Sequence, residues 1–199
     1  MISKISDRQT PFYLPLILML LTPAPLGHCG DPISIFNGKD LTGWTGAEYK
    51  VQDGVLICSG NTLRTEKEYS NYVFEFDFLL PQGGNNGIGI HYPGEGRPSG
   101  AGMELQILDN SHPKYAKLKE TQYHGSLYKL EAAKRGYLKP VGQWNHQKVT
   151  VNEATVKVEL NGTEILTADL NELSEKNRKH KGVKRRSGYI CFCGHGAPV

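Results

Sequence analysis

The sequence has few of the features that usually announce a chemistry. It contains no Gly-x-Ser-x-Gly, no phosphate-binding glycine loop, no His-Glu-x-x-His and no dinucleotide fingerprint. Those absences remove the common motifs of serine hydrolases, nucleotide binders and zincins. Charge of one sign is also scarce. A net charge of +3 over 199 residues is too mild to argue for a nucleic-acid partner. The one basic stretch, residues 171–186, holds Lys176, Arg178, Lys179, Lys181, Lys184, Arg185 and Arg186. Glu172 and Glu175 sit among them and no aromatic interleaves, so the stretch reads as a solvated loop. No apolar run reaches the roughly 20 residues of a membrane span. There is no internal repeat and no convincing long helix. The cysteines, Cys29, Cys58, Cys191 and Cys193, have no zinc-type spacing.

What the chain does have is glycine, aromatics and β-branched residues, arranged for an all-β fold with many turns. Hydrophobic residues make up 38% and charged ones 22%, which is not a disordered composition. Lys4 and Arg8 precede the apolar run at 12–21, the pattern of a secretory signal. Residues 1–30 are therefore expected to be a signal segment, and the protein secreted or periplasmic. Leu26-Gly27-His28-Cys29 approaches a lipoprotein box, although His28 is larger than the residue such a box wants. Membrane attachment is expected only through a lipid at Cys29; ordinary cleavage near Cys29 or Gly30 is the alternative. Without Cys29 an odd number of cysteines remains, so not all can pair internally. Cys191 and Cys193 alternate onto one strand face, and small buried hydrophobes are the simpler reading.

Residues 31–199 suit one domain with a real core. Residues 33–36 read as an opening strand. Asp53-Gly54 joins two short apolar runs in a hairpin, as does Asn161-Gly162 between 154–160 and 164–166. Residues 72–80 form the clearest strand, with Phe74, Phe76, Phe78 and Leu80 on one face and Glu75 and Asp77 on the other. Residues 109–123 are polar and lysine-rich and read as a long loop with a helical turn. Ten or more short strands without a long helix make a sandwich of two antiparallel sheets.

The stretch 83–110 organises the rest. Alternation puts Ile88, Ile90 and Tyr92 on one face and Gly87, Gly89 and His91 on the other. In the next run Met103, Leu105 and Ile107 share a face opposite Glu104 and Gln106. If the runs pair, His91, Glu104 and Gln106 line a face that the glycines leave open for a ligand. Residues 124–128 are expected to bring His124 and Tyr128 near it.

Several motifs taken together resemble the 3-keto-disaccharide hydrolase domain family. They are Phe36-Asn37-Gly38-Lys39-Asp40-Leu41-Thr42-Gly43-Trp44, Gly84-Asn85-Asn86-Gly87-Ile88, Glu104-Leu105-Gln106-Ile107-Leu108-Asp109, His124-Gly125-Ser126-Leu127-Tyr128, Gly142-Gln143-Trp144-Asn145, Leu160-Asn161-Gly162 and Gly194-His195-Gly196. The resemblance implies a concanavalin-like jelly roll, usually exported, acting on a carbohydrate. It also implies one more strand after the Gly-His-Gly motif, so an open sheet edge is expected here. Lys129 stands where the family usually has glycine, and His91 where it often has arginine.

The implied chemistry is cleavage of a 3-keto-glycoside. The C3 ketone acidifies the C2 proton, a base removes it, and the aglycone leaves C1. Glu104 or His124 is the expected base. Tyr128, His91 or His195 would donate to the developing oxyanion, while Gln106 and Asp109 hold hydroxyls and Trp144 contacts the sugar. No cofactor is evident, but a divalent metal held by Glu104 and a histidine would serve the same end. The alternative is a non-catalytic carbohydrate-binding module, with Trp44, Tyr92, Tyr128 and Trp144 stacking on sugar rings. An exported interaction domain without chemistry is the third reading.

Overall fold

The structure, a computed structural model, describes residues 32–195 and 199. The expected export segment, Cys29 and Gly196 lie outside the described residues. Residues 33–36 are not a strand. Their carbonyls are taken by side chains instead: Trp44 Nε1 donates to Ile35 and Ser34 Oγ to Phe36. Regular structure begins with β1 (Trp44–Gly46), followed by β2 (Lys50–Gln52) and β3 (Val55–Ile57). Asp53 and Gly54 between them have φ of +51° and +79°, which is what the tight hairpin turn requires. β4 (Leu63–Tyr69), β5 (Tyr72–Leu79) and β6 (Asn85–Tyr92) come next. The short helix α1 (Pro98–Ala101) precedes β7 (Met103–Leu108). β8 (Trp144–Asn152), β9 (Thr155–Leu160) and β10 (Thr163–Asp169) form a meander. Helix α2 (Leu170–Lys176) starts on Asp169, whose carboxylate accepts from the amides of Asn171 and Glu172. The last strand is β11 (Gly188–Phe192).

Two antiparallel sheets face each other, in the orders β1-β4-β11-β6-β7 and β10-β9-β8-β5, with β2-β3 as a separate ribbon. The fold is the expected jelly-roll sandwich. Phe74 and Phe78 of β5 and Val149 and Val151 of β8 pack against Ile88, Ile90, Met103, Leu105 and Ile107 of the other sheet. Each such side chain contributes roughly 1.5–3 kcal/mol by leaving water. β5 pairs with β8 alone among the described residues. The basic stretch contains α2 and a short 3-10 turn, Gly182–Lys184. No helix among the described residues is long and apolar enough to cross a membrane.

The simple alternation expected for β6 fails near its end. Cys191 pairs with Gly89 and Tyr189 with Tyr92, so Ile90 and His91 together oppose the single residue Ile190. This is a β-bulge, and His91 has φ of +52°. The extra residue inverts the facing that follows it. Ile88 and Ile90 stay in the core, but Tyr92 packs with Cys191 and Cys193. His91 leaves the glycine face, and its Nε2 lies 3.4 Å from the Ser70 carbonyl.

Candidate functional site

The site is built across β6 and β7, which pair as the sequence suggests. Gly89 lies opposite Glu104 and Gly87 opposite Gln106. Gly87 has a specific steric role. A Cβ there would stand 2.7 and 2.8 Å from Cγ and Cδ of Glu104, and closer still to Oε1. The bare backbone thus lets the Glu104 side chain fold flat across β6. Gly89 plays the same part for Cys191, whose sulfur a Cβ would strike.

Glu104 is 4% exposed, and an ionised carboxylate so placed needs a donor. His195 supplies it, with Nε2 at 2.9 Å from Oε1. An ionised carboxylate only accepts, so Nε2 carries the hydrogen and the neutral ring keeps its lone pair on Nδ1. The His195 side chain is 37% exposed against 5% for Glu104. The imidazole is therefore the solvent-facing member of the pair, and the carboxylate its support. Sequence alone suggested His195 as an oxyanion donor; its pairing with Glu104 depends on how the segment after β11 crosses β6. That segment begins with Cys193, whose amide donates to the Gly87 carbonyl. A hydrogen bond with the neighbouring Cys191 thiol, and then burial, hold the Cys193 thiol well above its ordinary range. These two cysteines border the glutamate, a placement that their alternation hinted at and only the strand register reveals.

Residues 125–128 lie along the free side of β7. Gly125 donates to the Gln106 carbonyl, Gln106 to Ser126 and Tyr128 to Glu104, at 2.8, 3.0 and 2.8 Å. Leu127 bridges Leu105 in the core, and Tyr128 opens the turn that follows, its backbone beside the β7 position that carries Glu104 and its face. The Tyr128 hydroxyl accepts from Gln122 Nε2 at 3.1 Å, which leaves its own hydrogen free to donate. Lys129, at the family's glycine position, has φ of +62°. That left-handed conformation is the one glycine adopts without strain. Gln106 is also on this face, and its amide donates to Asn85 Oδ1 at 2.8 Å.

The other expected residues are not brought to Glu104. His124 is buried between the sheets, with its ring stacked on Phe78 at 5.2 Å. Its Nδ1 accepts from the Leu108 amide at 3.3 Å, so the neutral ring carries its hydrogen on Nε2, toward Gln147. Burial pushes its pKa down to about 3, the Gln147 side chain opposing only weakly. Asp109 accepts from the Gly83 amide and from the amide and hydroxyl of Ser111. Burial raises its carboxyl, but those hydrogen bonds outweigh it and hold the group below the usual range. It clasps two loops together. Trp144 belongs to the other sheet and is 47% exposed. Trp44 is buried against Phe192 and Tyr92 against the cysteines, so the four proposed stacking aromatics do not share a surface.

Glu104 and His195 are only two potential metal donors. Among the described residues no three His, Cys, Asp or Glu side chains converge to hold an ion. Three protein ligands is the number that a catalytic zinc site uses.

The model of the 3-keto-alpha-glucoside-1,2-lyase-like domain matches residues 31–199. The chain belongs to this family. It is 27% identical over 157 residues to a 3-keto-disaccharide hydrolase of Bacteroides thetaiotaomicron, an overlap of 62% of this chain and 53% of that protein. The chain thus spans about half the length of that relative. Two crystal structures of glycosyl-hydrolase-like proteins from Parabacteroides distasonis share the fold. Their TM-scores are 0.71 and 0.72 at 25% and 23% identity, covering 82% of this chain and 87% and 91% of theirs. The second bears on the fold alone.

Proposed function

We propose that the chain cleaves 3-keto-glycosides by elimination, with His195 as base and Glu104 as the carboxylate that orients it. The observation that supports this reading is the short contact between a buried carboxylate and a half-exposed imidazole, made possible by the bare Gly87 position of β6. Such a pair holds one tautomer and presents a lone pair to substrate. The Nδ1 lone pair takes the C2 proton, and the C2–H electrons pass into an enolate on the C3 oxygen. The Tyr128 hydroxyl donates to that oxygen. Collapse of the enolate forms the C1–C2 double bond and breaks C1–O. The imidazolium returns its proton to the departing oxygen. Water then adds across the double bond to complete hydrolysis.

The test is incubation of purified protein with 3-keto-trehalose and 3-keto-sucrose, with and without divalent metal, measuring released hexose and deuterium uptake at C2 from heavy water. Glu104→Gln and His195→Asn should each lower turnover by roughly 10²–10⁴-fold. Absence of turnover by the unaltered protein in every condition refutes the proposal. Glycan binding without product would instead favour the carbohydrate-binding module.

A further inference from the structure

The contact between Gln106 and Asn85 has no part in the chemistry proposed above. Both side chains lie on the Glu104 face. Met103, Leu105 and Ile107 of β7 point into the core, so Gln106 projects the other way, with Glu104. Gln106 Nε2 reaches Asn85 Oδ1 at 2.8 Å, which brings Asn85 to the same side. Asn85, Gly87 and Gly89 follow one another along this side of β6, opposite Leu108, Gln106 and Glu104 in turn. Asn85 is the member of that row with a side chain to offer.

The contact consumes one Gln106 hydrogen and one acceptor of Asn85. It leaves Gln106 Oε1 as an acceptor and the Asn85 Nδ2 hydrogens as donors. Turning both amides end for end keeps the bond and again leaves one donor and one acceptor. Gln106 is 5% exposed and Asn85 half-buried, so the pair opens to solvent through Asn85 and is otherwise enclosed. A hydroxyl both donates and accepts, and so fits such an edge. The Glu104 carboxylate lies close by, because it reaches over Gly87, the cross-strand partner of Gln106. An anionic group at the amides would be repelled by that charge; a neutral polyol would not. The backbone of Tyr128 is on the far side. It bonds the Glu104 carbonyl, level with Gly89, whereas Asn85 is level with Leu108. Glu104 and Gln106 themselves are ~7 Å apart along β7.

We infer that Asn85 and Gln106 form the subsite for the leaving group, and that the group they take is a neutral sugar or other polyol. The inference rests on the elimination proposed above. With the C3 oxygen toward Tyr128 and the C2 proton on His195, C1 and its substituent extend toward Asn85. One hydroxyl of the leaving group donates to Gln106 Oε1 and accepts from Asn85 Nδ2. Asn85 is therefore a specificity-determining residue, favouring a disaccharide over a glycoside whose leaving group carries no hydroxyl.

The test compares two substrates on the full chain. One is 3-keto-trehalose, whose leaving group is glucose; the other is 4-nitrophenyl 3-keto-glucoside, whose leaving group has no hydroxyl beyond the departing oxygen. Asn85→Ala should lower the ratio of their kcat/KM values, disaccharide over aryl glycoside, about tenfold, the scale of one hydrogen bond in a mostly buried site. The change should lie in KM, because the hydroxyl is held alike before and during bond breaking. Gln106→Leu, of similar volume, should lower the ratio likewise. A partly unfolded preparation lowers both values together and leaves the ratio readable. A ratio that stays within about twofold in both variants overturns the inference. If the unaltered protein turns over neither substrate, the elimination falls, and calorimetry with unoxidised trehalose decides the subsite by itself. Affinity about tenfold weaker in Asn85→Ala supports it; equal affinity, or no binding at millimolar concentration, overturns it.

Discussion

Acidification tests the assignment of His124 to the core. An unfolded chain leaves this imidazole at its ordinary value of 6.5, whereas in the fold burial pushes it down to about 3. Below about 6.5 the unfolded state takes up a proton that the folded state refuses, so stability falls as pH falls. The loss spreads from 6.5 down to the folded value and is complete there. At about pH 5 it amounts to ~2 kcal/mol, set almost entirely by the unfolded value. A one-unit error in the folded pKa therefore hardly changes it. The assay is urea unfolding at about pH 7 and about pH 5, for the unaltered protein and His124→Gln. The substitution costs about 1–3 kcal/mol at neutral pH, by disturbing a buried hydrogen-bonded group. Its stability should then fall ~2 kcal/mol less on acidification than that of the unaltered protein. His91 is also depressed, chiefly by burial; its contribution has the same sign and is common to both proteins, so it cancels. Equal acid losses in the two proteins would refute the placement of His124 in a water-free core.

Gly87→Ala should push the Glu104 carboxylate off β6 and lower turnover of a 3-keto-glycoside roughly a hundredfold, the scale of an ångström-sized misplacement; undiminished turnover would show that the carboxylate needs no such clearance. Asp169→Ala should lower unfolding free energy by about 1 kcal/mol through loss of the α2 cap, read from denaturant midpoints, and Asp169→Asn should recover most of it.

Much of the scaffold could be read from turn chemistry and alternation. Asp53-Gly54 and Asn161-Gly162 pick out their hairpins because few other dipeptides accept positive φ at both positions. The three phenylalanines of β5 declare their inward face. β4 escaped notice, because Arg64, Glu66, Lys67 and Glu68 break its apolar pattern. It nevertheless lies inside the five-stranded sheet, between β1 and β11. The site was legible where it depends on strand pairing, as with Glu104 and Gln106 opposite the glycines. It was not legible where it depends on a bulge or a loop. One extra residue in β6 took His91 away and turned Tyr92 outward. The loop before residue 124 delivers His124 to the core, and the segment after β11 delivers His195 to Glu104. None of these long-range closures leaves a periodic trace.

The bare strand β6 also says where this protein can change. Its two glycines present only main-chain atoms to whatever lies above, so they can neither be tuned to a new ligand nor be enlarged without displacing a neighbour. Any remodelling of this face must come from flanking positions that carry no step of the proposed chemistry: Gln106 on one side, and Cys191 and Cys193 on the other. Diversification at those three positions around an invariant Gly87 and Gly89, with Glu104, Tyr128 and His195 kept, is the evolutionary signature that this geometry demands.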